Sequence, residues 1–455
     1  MMINMVARMR RLSLALQMRS VICILLIVPV AGVATAAPQP IPAREVRLAI
    51  FSLSKVMMHD VVSPTIASRY YMYATLGAAC ILSGKERSMP HPSVYIRHLP
   101  DTLGRTTGSS DPALTALFCI YETGMRMLPS GADAQTDYDA ARERLRGLGY
   151  SAKELEAAAV SAASVALSVL SYTTGDGYGL LSRYPRYRPR RKEGFWFPTP
   201  PAYMEAVDPH WGRMRTMVID SAGAFRSAPP APFDTTPGSA FRNLMEEVRA
   251  IGAAPTPVQR EIAGYWDCNP FVIATSGHMT LGFKKISPGG HWMNIACLAA
   301  EQRGIDLQRT ILTAFLEAVT LYDAFIVCWT EKYRTDRVRP ESVIQRYLDV
   351  NWQPILQTPP FPEYTSGHSV ISSASAELLS YLLGDSLAFT DDTEVMFELP
   401  IRRFDSFRHA AREASISRLY GGIHFRDAIE QGQITGTRVG RHVADRIRQA
   451  GIAGF

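Results

Sequence analysis

Residues 307–340 read LQRTILTAFLEAVTLYDAFIVCWTEKYRTDRVRP. From Leu307 to Tyr333 apolar residues recur at helical spacing with no Gly or Pro to interrupt them. Glu317 and Asp323 lie inside the run, and charges there would be expensive in hydrocarbon, so the stretch predicts a core helix and no membrane span. The same texture recurs outward in SPTIASRYYMYATLGAACILSG (63–84), ADAQTDYDAARERLRGLG (132–149), SAKELEAAAVSAASVALSVLSYTT (151–174) and SVISSASAELLSYLLGD (369–385). Alternating strand patterns are scarce. The expected fold class is all-α, with the helices packed as bundles.

The chain has 455 residues, 47% apolar and 20% charged, an ordinary globular balance that excludes general disorder. Its start differs: Arg8, Arg10, Arg11 and Arg19 precede the apolar VICILLIVPVAGV and the small residues ATAA. That pattern predicts a secretory signal over 1–36, cleaved after Ala36 and too short and too interrupted by Pro29 to remain as a membrane anchor. Export to a periplasm or the medium is expected. Losing those four arginines lowers the formal charge from +6 to +2, so the basicity belongs to the signal and no nucleic-acid partner is implied.

Between about 183 and 240 the prolines of SRYPRYRPRRKEGFWFPTPPAYMEAVDPHWG and SAPPAPFDTTPGSAF forbid sustained helix. This stretch reads as an irregular connection between an N-terminal helical region (37–182) and a C-terminal helical catalytic region (241–455). Its basic run, Arg186 to Lys192, reads as a solvated loop. Cys80, Cys119, Cys268, Cys297 and Cys328 have neither metal-ligand spacing nor the density of a disulfide scaffold. They leave room for one bridge, for instance Cys80 to Cys119.

The tetrapeptide TSGH occurs twice, at 275–278 and 365–368. A Ser-Gly at a helix start offers a hydroxyl, free backbone N–H groups and the positive end of the helix dipole, which together suit an anion. Only the second copy precedes a strong helix, since MTLGFKKISPGGHW after the first is broken by Gly282, Pro288 and Gly289. Upstream of the second copy, Lys332 and Arg339 stand seven positions apart before Pro340; on one helix they would share a face, with Pro340 ending the run. Downstream, Arg418 and His424 flank the helix-breaking Gly421 and Gly422. One lysine, two arginines, a serine hydroxyl, a glycine N–H and two histidines form an inventory that a tetrahedral or trigonal-bipyramidal oxyanion requires. One imidazole would bond the central atom and the other would move a proton.

The order K-x6-R-P, SGH, SR-x5-H across residues 329–427 resembles the signature of the superfamily that joins vanadium-dependent haloperoxidases to type 2 phosphatidic acid phosphatases and bacterial acid phosphatases. The resemblance implies that Lys332, Arg339, Ser366, Gly367 and Arg418 hold the oxyanion. It makes His424 the ligand of vanadium or the phosphate nucleophile, His368 the acid–base partner, and Lys332 the group that polarises bound peroxide. Trp329 and Phe361 resemble the aromatic wall beside the vanadate. Two departures stand out: Thr365 replaces the usual proline, and Asp427 follows His424 after two residues where the common pattern has three, which weakens its role in orienting the ring. His278 is expected to be structural or to support the site from behind.

The resemblance leaves two activities open. A haloperoxidase would hold vanadate and oxidise halide with hydrogen peroxide; a phosphatase would need no cofactor and would hydrolyse phosphate monoesters through a phosphohistidine. The aromatic wall and the length of the chain favour the first. Simple capture of phosphate by a binding protein would leave two histidines without a task. A homodimer is expected by analogy alone.

Overall fold

Helix formation starts from caps that the sequence carries. In the computed structural model, which describes residues 37–83, 89–106, 110–276, 279–282 and 284–455, Asp306 accepts from the Arg309 N–H at 2.8 Å and opens the 29-residue helix α9 (Leu307–Thr335). A cap of this kind contributes about 1 kcal/mol. The preceding helices are α1 (Arg44–His59), α2 (Pro64–Leu82), α3 (Pro112–Met127), α4 (Gln135–Gly147), α5 (Ala152–Thr173), α6 (Ala240–Ala253), α7 (Pro257–Tyr265) and α8 (Pro288–Gln302). After α9 come α10 (Pro340–Tyr347), α11 (Gly367–Leu383), α12 (Phe407–Tyr420) and α13 (Arg426–Gln449). Pro64, Pro112, Pro257, Pro288 and Pro340 each occupy a first helical position, where the missing N–H has no intrahelical partner to lose. The all-α expectation holds. The described strands are two short antiparallel pairs, β1 (Ile273–Ser276) with β2 (Met279–Gly282), and β3 (Phe389–Asp391) with β4 (Arg402–Phe404).

Helix α9 forms the axis, packed by α2, α8 and α11. Its apolar stretch is long enough to cross a membrane by composition, yet it is wholly enclosed by the other helices. Its buried threonines return their hydroxyls to their own helix: Thr310 donates to the Asp306 carbonyl, Thr313 to Arg309 and Thr320 to Leu316. Asp323 instead accepts the N–H groups of Met217, Val218 and Ile219 at 2.8, 2.8 and 3.0 Å. One carboxylate thus stitches the irregular 183–240 stretch to the core. Trp196 and Trp211 from the same stretch are fully buried.

Helices α11 and α13 approach unusually closely because Gly432, Gly436 and Gly440 face α11. A Cβ on Gly436 would stand 2.1 Å from the Val370 carbonyl oxygen, and one on Gly440 2.4 Å from that of Ala374. This contact fixes the start of α11, where Ser366 donates its N–H to the Ala428 carbonyl at 3.0 Å.

Cys80 and Cys119 are both free, so the bridge for which the sequence leaves room is not formed between them. They sit on neighbouring helices, but the Cys119 thiol packs against Gly77, one turn before Cys80, and pairs with Thr123 at 3.7 Å. The expected signal, residues 1–36, lies outside the described residues.

Candidate active site

Helix α9 does not continue to Arg339. Asp336 takes a left-handed conformation (φ +54°) and ends the helix at Thr335; Arg339 is the residue before α10, and Pro340 begins α10. The single helical face expected for Lys332 and Arg339 is therefore replaced by a turn. Both cations nevertheless converge on Phe361: Lys332 Nζ lies 5.1 Å from its ring centroid and the Arg339 guanidinium carbon 5.0 Å.

Lys332 is fully buried and spends its ammonium on three carbonyls, those of Pro362, Glu363 and Thr365, at 3.0, 3.0 and 2.6 Å. Burial pulls its pKa down to about 7, with Arg339 acting in the same direction. Arg339 donates from Nε to the Phe361 carbonyl and from Nη1 to the Ile423 carbonyl, both at 2.9 Å. Its Nη2 is buried with no hydrogen-bond partner among the described residues. Arg418, also buried, donates to Ser417 Oγ at 2.8 Å and to the Trp266 carbonyl at 2.7 Å.

His424 follows the turn at Gly421 and Gly422, the latter at φ +78°. Its Nδ1 lies 2.9 Å from Glu363 Oε1, and its Nε2 lies 3.1 Å from Arg339 Nη1. An arginine can only donate, so Nε2 carries the lone pair and Nδ1 the proton. Burial, reinforced by Arg339 and Lys332, holds the imidazole pKa well below its usual value. The ring is neutral, with its basic nitrogen turned toward the cations.

Glu363, and not Asp427, touches the His424 ring. Its Oε1 also accepts the Phe425 N–H at 3.0 Å, and its Oε2 lies 3.5 Å from Arg337 Nε. Asp427 instead pairs with Arg337 Nη1 at 2.9 and 2.8 Å and accepts the Ala231 N–H at 3.1 Å. Its route to His424 runs through Arg337 and Glu363. The two-residue spacing after His424 puts Asp427 in the first turn of α13, where it serves that helix and the loop beside it.

Ser366 caps α11, accepting from the Ser369 N–H at 3.4 Å, and Gly367 is the first residue of that helix. A Cβ on Gly367 would point between Lys332 Cε and Trp329, each 4.0 Å away. His368 follows. Its Nε2 is buried without a partner among the described residues, while the ring is hydrogen-bonded to the Trp266 backbone. Burial first, then Arg418 and His424, keeps its pKa well below the usual value, so it is a neutral base. Gly367, His368, Arg418 and His424 line one small pocket, closed on its apolar side by Phe271, Phe325, Trp329 and Phe361. The Trp329 and Phe361 rings are 5.0 Å apart.

All seven oxyanion and proton-transfer candidates therefore belong to one neighbourhood. Glu363 and Arg337 are additional members that the motifs do not include, although Glu363 lies two residues before the second TSGH and Arg337 two residues before Arg339. Thr275 and Ser276 of the first TSGH copy end β1, and Gly277 and His278 lie outside the described residues. The pocket suits a small oxyanion: Arg418 lines it, Lys332 and Arg339 stand behind Gly367 and His424, a neutral imidazole nitrogen and a helix N-terminus face it, and Arg339 Nη2 and His368 Nε2 are buried polar atoms without a partner among the described residues.

Residues 312–451 match the family described as the VCPO second helical-bundle domain. No curated protein matches the sequence. Among solved structures, a bacterial vanadium-dependent chloroperoxidase in its holo form shares the fold at 16% identity and a TM-score of 0.62, over 86% of this chain and 94% of that one. A bacterial vanadium-dependent iodoperoxidase is 36% identical with a TM-score of 0.81, over 90% of this chain and 97% of that one. At that identity and coverage more than the fold is shared: the chain belongs to the vanadium-dependent haloperoxidase family.

Proposed function

We propose that the protein is an exported haloperoxidase that holds vanadate in this pocket and oxidises halide, iodide first, with hydrogen peroxide. Iodide is named because a bacterial iodoperoxidase is 36% identical over nearly its whole length. Export rests on the signal-like pattern of residues 1–36. The observation that carries the reading is the Glu363–His424–Arg339 line, with a proton fixed on Nδ1 and a lone pair on Nε2 at the edge of a cationic pocket.

Vanadate, when bound, would supply a Lewis-acidic centre that activates peroxide without changing its own oxidation state. His424 Nε2 would hold it. Arg339, Arg418, Lys332, Ser366 and the Gly367 N–H would neutralise its oxygens. Arg339 has an unused Nη2 for this; Lys332 must release one of three carbonyls. His368, neutral and unpartnered at Nε2, would take the proton from incoming peroxide and return it to the product. The Phe271, Phe325, Trp329 and Phe361 wall excludes water and favours a large, weakly hydrated halide over a small one.

Incubating the purified protein with orthovanadate should give peroxide-dependent oxidation of iodide, lost in His424→Ala. Hydrolysis of p-nitrophenyl phosphate without halide oxidation would assign phosphatase chemistry instead.

A further inference from the structure

A second cluster of chemically capable side chains lies against the pocket and has no part in the proposed reaction. Cys268 from the turn after α7, His291 from the first turn of α8 and Glu394 from the 3-10 turn Thr393–Phe397 are all buried. Their ligand atoms lie within 4.8 Å of one another. Cys268 Sγ is 3.5 Å from His291 Nδ1, His291 Nδ1 is 3.1 Å from Glu394 Oε1, and Cys268 Sγ is 3.9 Å from Glu394 Oε1. A tetrahedral ion with bonds of about 2.3 Å to sulfur and about 2.0–2.2 Å to nitrogen and oxygen separates its ligand atoms by about 3.3–3.6 Å. The three side chains thus have the dimensions of one face of such a tetrahedron.

The surroundings complete the case. His291 Nε2 lies 2.7 Å from Asp391 Oδ2, which keeps that nitrogen a donor and turns Nδ1 toward Cys268 and Glu394, where an ion would take the place of the Nδ1 proton. Asp391 is itself held: Oδ2 accepts the Tyr265 hydroxyl at 2.8 Å, and Oδ1 accepts the Thr393 N–H at 3.0 Å and its hydroxyl at 2.6 Å. Trp266 stacks on the imidazole, 4.7 Å between centroids at 20°. A carboxylate behind a histidine in this manner orients metal-ligating imidazoles. Sequence spacing hides the set, because its members are 23 and 103 residues apart.

We propose that Cys268, His291 and Glu394 bind a thiophilic divalent transition ion of the zinc class, with water in the fourth position. The thiolate and imidazole disfavour magnesium and calcium, which prefer oxygen. Binding displaces the thiol proton, and any proton on Nδ1, to solvent. The ion anchors the turn Trp266–Cys268, whose Trp266 carbonyl receives Arg418 at 2.7 Å and whose backbone holds His368. It therefore fixes one wall of the oxyanion pocket from behind and does not depend on which reaction that pocket performs.

Chelator-stripped, reduced full-length protein titrated with Co²⁺ tests this. One equivalent should bind, with a thiolate-to-cobalt charge-transfer band that Zn²⁺ displaces. Cys268→Ser should lose the band, and Asp391→Asn should weaken binding about 10–100-fold. Failure of the wild-type protein to take up one equivalent overturns the proposal, as does an undiminished band in Cys268→Ser; His291 would then be an imidazolium held between two carboxylates. Should Cys268→Ser not fold, X-ray absorption at the zinc edge of the loaded wild-type protein decides: one sulfur neighbour at about 2.3 Å supports the site, and a shell of oxygen and nitrogen alone refutes it.

Discussion

Glu363 Oε1 lies 2.9 Å from His424 Nδ1 and accepts the hydrogen bond from its N–H. The carboxylate is itself fixed by the Phe425 N–H and by Arg337, so it sets both the tautomer and the orientation of the ring. Glu363→Ala frees the imidazole to rotate or change tautomer and should weaken vanadate binding about 10–100-fold. Glu363→Gln keeps an acceptor and should recover most of that loss. Vanadate affinities of the two variants check this; equal damage in both would mean that the negative charge, and not the hydrogen bond, positions His424.

Lys332 carries a pH signature. Burial brings its pKa to about 7, so above neutrality the lysine of the ligand-free protein is largely uncharged. An oxyanion beside Nζ favours the ammonium form, and binding then takes up a proton. Affinity should fall as pH rises above about 7, by up to tenfold per unit. Calorimetric titration with phosphate in buffers of different ionisation enthalpy, between about pH 8 and 9 where the dianion no longer titrates, measures the uptake. It should disappear in Lys332→Met.

Much of this site was legible because the ligand residues sit in three short blocks whose chemistry is unusual together. The helices flanking those blocks were legible too: the quoted run beginning at Leu307 matches α9, and the run following His368 matches α11. Two kinds of information were not. Asp336 ends α9 by adopting a left-handed turn, a conformation that Asp tolerates but that one Asp inside a charged run does not announce, so the sequence puts Lys332 and Arg339 on one helix. The sequence offers Asp427, three positions downstream, as the partner of His424, whereas tertiary folding supplies Glu363 from 61 residues upstream. Amphipathic helices such as α12 and α13, rich in Arg, give a weaker apolar signal than α9, and the small-residue face of α13 acquires meaning only opposite α11.

That face yields a stability prediction. Gly436 has no room for a Cβ, which would stand 2.1 Å from the Val370 carbonyl oxygen, a backbone atom that cannot swing aside. Gly436→Ala should therefore push α13 from α11 and cost about 1–3 kcal/mol, outweighing the roughly 1 kcal/mol that alanine gains in helix propensity. Since α11 carries Ser366, Gly367 and His368, vanadate affinity should fall as well. Denaturant unfolding and vanadate titration of the one variant check both.

Glu317 should make stability depend on pH. It is enclosed in α9, and burial raises its carboxyl pKa to about 8, against a slight opposing effect of Ser375. In the unfolded chain the same group ionises near its ordinary value of about 4.3. Between these values the folded protein holds a proton that the unfolded chain has released, so the contribution of this group to stability is fully present below the unfolded pKa and declines as pH rises toward about 8. Above that, the folded state must accommodate a buried carboxylate. Glu317→Gln keeps the size and the polar atoms but cannot ionise. It should leave the unfolding midpoint nearly unchanged at pH 5 and raise it at pH 8, flattening the profile over that interval. A wild-type midpoint whose difference from the variant stays constant from pH 5 to pH 8 would show that Glu317 ionises alike in both states.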